Sequence, residues 1–225
     1  MFLHGWGGGV VSFLSVAERL KGVNCLLFDF RGFGKSEENG VYTLEDYARD
    51  TLALMDEVGI KKAVLVGHSF GCRVAAYLAA NHPDRVAGLV ITDGAGLKPR
   101  RGLKYYYKIL IYKLKKKLGL DTKGAGSEDY RSLNESMKRT FVNVVNRYTD
   151  KECARINCPA LVVWGKEDKD TPLYMAKRFE RLIKDSALIV LDGGHFCYLE
   201  NLSVYVAILG KFIAGVCDGV VCGCA

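Results

Sequence analysis

The 225-residue chain contains no Cys-x-x-Cys pair and only four histidines, which leaves no zinc pattern. No metal or organic cofactor is expected. No run of apolar residues is long enough for a membrane span: the last 22 residues are apolar but are broken by Lys211, Asp218 and several glycines. The opening Met-Phe-Leu-His-Gly lacks a basic start and a long apolar core, so no secretory signal is read and a reduced cytoplasm is the expected compartment. No internal repeat occurs, and biased composition is confined to one basic run and a Gly/Cys tail. The eight cysteines form no disulfide framework. Cys25, Cys72 and Cys158 stand in or beside apolar runs, where a free thiol behaves as a small hydrophobe. Cys222 is fourth from the end, but Gly223 and Cys224 match the aliphatic positions of a prenylation box poorly.

With 49% apolar and 25% charged residues, the composition fits one globular domain and excludes a disordered, collagen-like or coiled-coil chain. The formal net charge of +7 is not spread evenly. Residues 98–123 hold ten basic side chains and one acid, Asp121, so the rest of the chain carries a net charge of −2. A uniformly basic nucleic-acid binder is therefore disfavoured, and the basic element needs its own explanation.

Near-continuous apolar runs at 25–30, 63–67, 86–92, 160–164 and 187–191 have the form of parallel strands buried on both faces. Helical patterns lie between and around them at 11–21, 44–58, 70–81, 172–183 and 198–213, with a capping-box spacing at Thr43 and Asp46. This alternation predicts an α/β fold with a doubly wound, mainly parallel sheet. Residues 98–150 break the alternation: they hold no strand candidate and read as two or three helices with a break at 124–126. They are expected to form a helical insertion in a core made of 1–97 and 151–225.

Gly67-His68-Ser69-Phe70-Gly71 follows one strand directly and opens a helix. Small residues at both ends let the chain reverse in one strained turn that lifts the Ser69 hydroxyl above the sheet, and the Phe70 N–H points to where an oxyanion would form. A serine nucleophile needs a base, and histidine suits that role near neutral pH. His68 adjoins the nucleophile with its side chain aimed elsewhere, His82 stands at a helix end before Pro83, and His4 enters a glycine loop. His195 lies on the loop after the last strand, at the same sheet edge as Ser69, and is the expected base. Asp168 and Asp170 follow the strand at 160–164, and Asp93 follows the strand at 86–92; the order serine, acid, histidine favours the first two.

These blocks resemble the α/β-hydrolase superfamily over nearly the whole chain. His4-Gly5-Trp6-Gly7-Gly8 is similar to its oxyanion loop, which implies the Trp6 N–H as a second donor beside that of Phe70. The stretch from Asp29 to Ser36 is similar to the loop after the following strand, a mainly structural feature. Asp168, four residues after Trp164 and four before Pro172, occupies the family's acid position, which decides against Asp170. Gly194-His195-Phe196 with Leu199-Glu200-Asn201 is similar to the segment of the catalytic histidine.

The resemblance implies a carboxylesterase-like serine hydrolase with a Ser69–His195–Asp168 triad and a helical lid at 98–150. Acyl transfer, C–C bond hydrolysis and a low-turnover ligand-binding role are alternatives. A serine at the elbow sets the chain apart from relatives that use Asp or Cys there, and Phe70 sets it apart from the proline iminopeptidase form with Trp after the serine. The expected partner is a small acyl substrate, with no nucleic acid. The mixed basic and apolar insertion suggests weak peripheral contact with anionic membranes. Only Met1-Phe2-Leu3 precede the oxyanion loop, so the family's first strands are expected to be missing, and an upstream extension is expected to improve yield and activity.

Overall fold

The computed structural model describes residues 1–100 and 128–219 continuously, with positions 102, 107, 110, 111 and 114 between them. Most of the basic run at 104–118, the break at 124–126, and Cys222 and Cys224 lie outside the described residues.

Five parallel strands form one sheet in the order β1-β2-β3-β4-β5: β1 (Phe2–Leu3), β2 (Ala63–His68), β3 (Val86–Thr92), β4 (Ala160–Gly165) and β5 (Ser186–Leu191). The expected strand at 25–30 is not formed. Leu27 makes one isolated parallel bridge to Phe2, with Phe2 N–H donating to Leu26 O at 2.9 Å. The reason lies in its neighbour: β1 is two residues long and cannot support a longer ladder. From β1 the chain runs out to Leu27 on one side and returns to β2 on the other. The carboxyl ends of β1 and β2 therefore flank a topological switch point, where sheets of this type hold their sites.

Alternation along the strands fills both faces. Leu65, Leu89, Ile91, Val162 and Trp164 point into one core, shared with α2 (Leu44–Glu57), α3 (Phe70–Asn81) and α7 (Tyr174–Leu182). Val66, Val90, Leu161 and Val163 point into the other, shared with α1 (Val11–Ala17) and α9 (Leu202–Gly219). Burial on both faces explains why these strands read as unbroken apolar runs. The capping box of α2 forms: Asp46 N–H donates to Thr43 Oγ1 at 3.2 Å, and Thr43 N–H donates to Asp46 Oδ2 at 2.9 Å.

Between β3 and β4 lie α4 (Glu128–Ser132), α5 (Glu135–Asn146) and α6 (Asp150–Cys153), with no strand among the described residues of this stretch. α5 is tied to the core by Tyr42 N–H donating to Thr140 Oγ1 at 3.0 Å, while its Met137 and Val144 join the first core. The helix expected at 198–213 is split into α8 (Cys197–Glu200) and α9. At the junction, Asn201 Nδ2 donates to Asp192 O at 2.6 Å and to Cys197 O at 3.0 Å, which turns the chain out of one helix before the next begins. No helix among the described residues is long and apolar enough to cross a membrane.

Candidate active site

The turn from β2 into α3 puts Ser69 at φ 47° and ψ −110°, in the left-handed region that a side chain adopts only where the surroundings enforce it. Two hydrogen bonds do so: Ser69 N–H donates to Thr92 O at 3.1 Å, and Ala95 N–H donates to Ser69 O at 3.0 Å. The flanking glycines are required by close approach. A Cβ at Gly71 would stand 1.9 Å from Leu3 O, and one at Gly67 would stand 2.8 Å from Cys72 N. Phe70 is the first residue of α3, so its amide is one of those a helix leaves without an intrahelical acceptor.

Three elements converge on the serine. His195, on the loop after β5, has Nε2 3.0 Å from Ser69 Oγ. Its Nδ1 lies 2.9 Å from Oδ2 of Asp168, on the loop after β4. The Asp168 side chain is fully buried, and that of His195 is 15% exposed. Burial alone would raise the Asp168 carboxyl, but hydrogen bonds from His195 and Thr171 outweigh it and hold the group below its usual range. Burial alone would depress His195, but the hydrogen bond and charge of Asp168 outweigh it and hold the imidazole above its usual value.

Asp170 and Asp93, the other candidate acids, take different positions. Asp170 contributes its backbone N–H to Asp168 Oδ1 at 2.8 Å. Asp93 is buried at φ 45° and accepts Gly165 N–H on Oδ1 at 2.7 Å. Burial pushes its carboxyl up to about 6, against the Cys197 thiol and the Gly165 amide. Asp168, Asp170 and His195 bring potential ligand atoms within 4.8 Å of one another. Both Asp168 oxygens already accept hydrogen bonds, from Asp170 N–H, Thr171 and His195.

Four side chains at the site have roles that sequence reasoning missed. Thr171 Oγ1 donates to Asp168 Oδ2 at 2.6 Å, and its N–H donates to Oδ1 at 2.9 Å. His68 Nε2–H donates to the backbone carbonyl of His195 at 2.7 Å. Burial, then the neighbouring His195, pushes His68 down to about 3, so it stays neutral. His4 is buried rather than loose in a glycine loop: it accepts Phe30 N–H on Nε2 at 2.9 Å, and its Nδ1–H donates to Gly5 O at 2.8 Å. Arg73, in the first turn of α3, is buried and lines the same cavity as Ser69. That cavity, of about 710 Å³, is lined by Trp6, Ser69, Phe70 and His195, with Phe141 and Val144 of α5 above them.

A family model for the alpha/beta hydrolase fold matches residues 1–109. The chain is 31% identical over 229 residues to a putative non-heme haloperoxidase of Mycobacterium phage D29, covering 89% of this chain and 82% of that protein. It is 27% identical over 243 residues to 2-hydroxymuconate semialdehyde hydrolase of Pseudomonas sp. (strain CF600), covering 95% and 86% of the two chains. Among solved structures, a serine hydrolase from Cycloclasticus zankles superposes with a TM-score of 0.75 at 22% identity, over 96% of this chain and 90% of that one. The chain belongs to the α/β-hydrolase superfamily.

Proposed function

We propose that the protein is a serine hydrolase that cleaves an ester or related carbonyl-centred bond through an acyl-enzyme. The observation that carries this reading is the continuous contact from Ser69 Oγ to His195 Nε2 at 3.0 Å and from His195 Nδ1 to Asp168 Oδ2 at 2.9 Å. Asp168 fixes the tautomer in which Nδ1 bears the proton and Nε2 is free to accept one. Ser69 Oγ attacks the carbonyl carbon as its proton passes to His195 Nε2, and the N–H groups of Trp6 and Phe70 receive the charge that develops on the carbonyl oxygen. His195 returns the proton to the leaving group as the bond breaks. Water then attacks the acyl carbon with His195 again as base, which releases the acid and restores Ser69.

Residues 98–150 serve as a lid over a core made of 1–97 and 151–225. The cavity wall formed by Phe141 and Val144 of α5 supports this assignment. The lysines of the lid, most of them outside the described residues, give it a weak affinity for anionic membrane surfaces. Stopped-flow turnover of p-nitrophenyl butyrate tests the mechanism. The wild type should show a burst of p-nitrophenol equal to the enzyme present, and Ser69→Ala should lose the burst and about three orders of magnitude or more in kcat. A burst retained in Ser69→Ala contradicts the assignment.

A further inference from the structure

Arg73 lies in the first turn of α3, four residues after Ser69, which precedes that helix, and it is 8% exposed. Arg73 lines the cavity together with Ala95, Val144 and Val145. Nη1 donates to Arg147 O at 2.8 Å, and Nη2 lies 3.5 Å from Val145 O. Those carbonyls engage two of its five N–H donors.

Among the described residues, no carboxylate forms an ion pair with Arg73. The acids nearby are otherwise committed: Asp150 to Arg178, and Glu45 and Glu152 to Arg147. Burial pushes the guanidinium down to about 10, which leaves it protonated at neutral pH. Asp150 acts on Arg73 through space, but a buried cation with no ion pair among the described residues is costly, and the arrangement makes sense where an anion arrives with the ligand.

Among the lining residues, Val11 is 79% and Phe196 51% exposed, whereas Arg73 is buried. In an acyl-enzyme cycle the leaving group departs first and needs the solvent-exposed part of the lining, while the acyl part stays attached to the serine and suits the buried part. We infer that Arg73 binds a carboxylate at the far end of the acyl chain, so that the substrates are half-esters, or analogous monoacyl derivatives, of dicarboxylic acids. This rests on the serine-hydrolase reading of the same site.

The test compares two esters of equal chain length, mono-p-nitrophenyl adipate and p-nitrophenyl hexanoate, with uncatalysed hydrolysis subtracted. The full-length wild type should favour the adipate half-ester in kcat/KM, by roughly ten- to a hundredfold for a charge-assisted hydrogen bond. Arg73→Met should abolish that preference, and Arg73→Lys, a point charge without the fork, should restore part of it. The ratio of the two esters does not depend on how much of a variant folds. A wild type that prefers hexanoate, or that is labelled by a fluorophosphonate yet does not turn over the adipate ester, overturns the inference alone and leaves Arg73 as a clamp on α5. An Arg73→Met variant with the wild-type ratio does the same. Turnover of neither ester, with Ser69 unlabelled, overturns the serine-hydrolase reading instead.

Discussion

His68 donates its Nε2–H to the main-chain carbonyl of His195 at 2.7 Å, so the residue before Ser69 holds the loop that carries the candidate base. Further bonds brace that loop: Gly193 N–H donates to Glu167 Oε2 at 2.6 Å, and Gly194 N–H donates to Glu200 Oε2 at 3.1 Å. A residue 126 positions along the chain from Ser69 thus reaches hydrogen-bond distance through a set of backbone tethers.

The His68 tether has a cost in acid. An exposed imidazole takes up a proton near 6.5, whereas in the folded chain burial and His195 defer this to about 3. Between those values the unfolded chain binds more protons at this site, so stability rises with pH and falls as the solution is acidified. His68→Phe removes that contribution. Urea melts at about pH 7 and about pH 4.5 should show a smaller acid-induced loss in the variant than in the wild type. An equal loss in both contradicts burial of a neutral His68.

Thr171 donates to the same Asp168 oxygen that receives His195 Nδ1–H. Replacing its hydroxyl by a methyl in Thr171→Val leaves the carboxylate less firmly oriented. The expected loss in kcat/KM is roughly tenfold or more, of the size of one hydrogen bond to a charged group. Thr171→Ser should recover most of it. Loss of the hydroxyl also makes Asp168 more basic, so the acid limb of the pH–rate profile should move upward in Thr171→Val. A profile unchanged in position and height shows that Thr171 only fills space.

His195 must be neutral to accept the Ser69 proton, and Asp168 holds it above its usual 6.5. The kcat/KM profile should therefore rise with pH through a value above 6.5 and then level off. Asp168→Asn removes the charge, which should move that limb downward while kcat falls by roughly three to four orders of magnitude. Asp93→Asn should move the limb downward as well but keep most of kcat, because its Oδ1 can still accept from Gly165. Equal losses in the two variants would assign the orienting role to both acids.

Ser69, Asp168 and His195 are legible in the sequence because each follows an apolar run that folds as β2, β4 or β5. Strand-end placement in a parallel sheet brings such residues to one edge without any knowledge of distances. The roles of His68, Thr171 and Arg73 depend on contacts with partners far along the chain, and no local pattern encodes them. His4 reads as part of a loose glycine loop because its partner, Phe30 N–H, is 26 residues away. Residues 25–30 read as a strand because the pattern records apolarity, whereas a strand also needs a neighbour long enough to pair with, and β1 offers only Phe2 and Leu3. The helix at 198–213 reads as continuous because nothing local shows that Asn201 reaches back to Asp192.

The central claim is that Ser69 is a nucleophile activated by His195. Intact-mass analysis after incubation with a fluorophosphonate, followed by peptide mapping, tests it most directly. The account predicts one adduct per folded chain, on Ser69, absent in Ser69→Ala and formed far more slowly in His195→Ala. Folded wild-type protein that takes up no adduct, or an adduct that persists in Ser69→Ala, would contradict it.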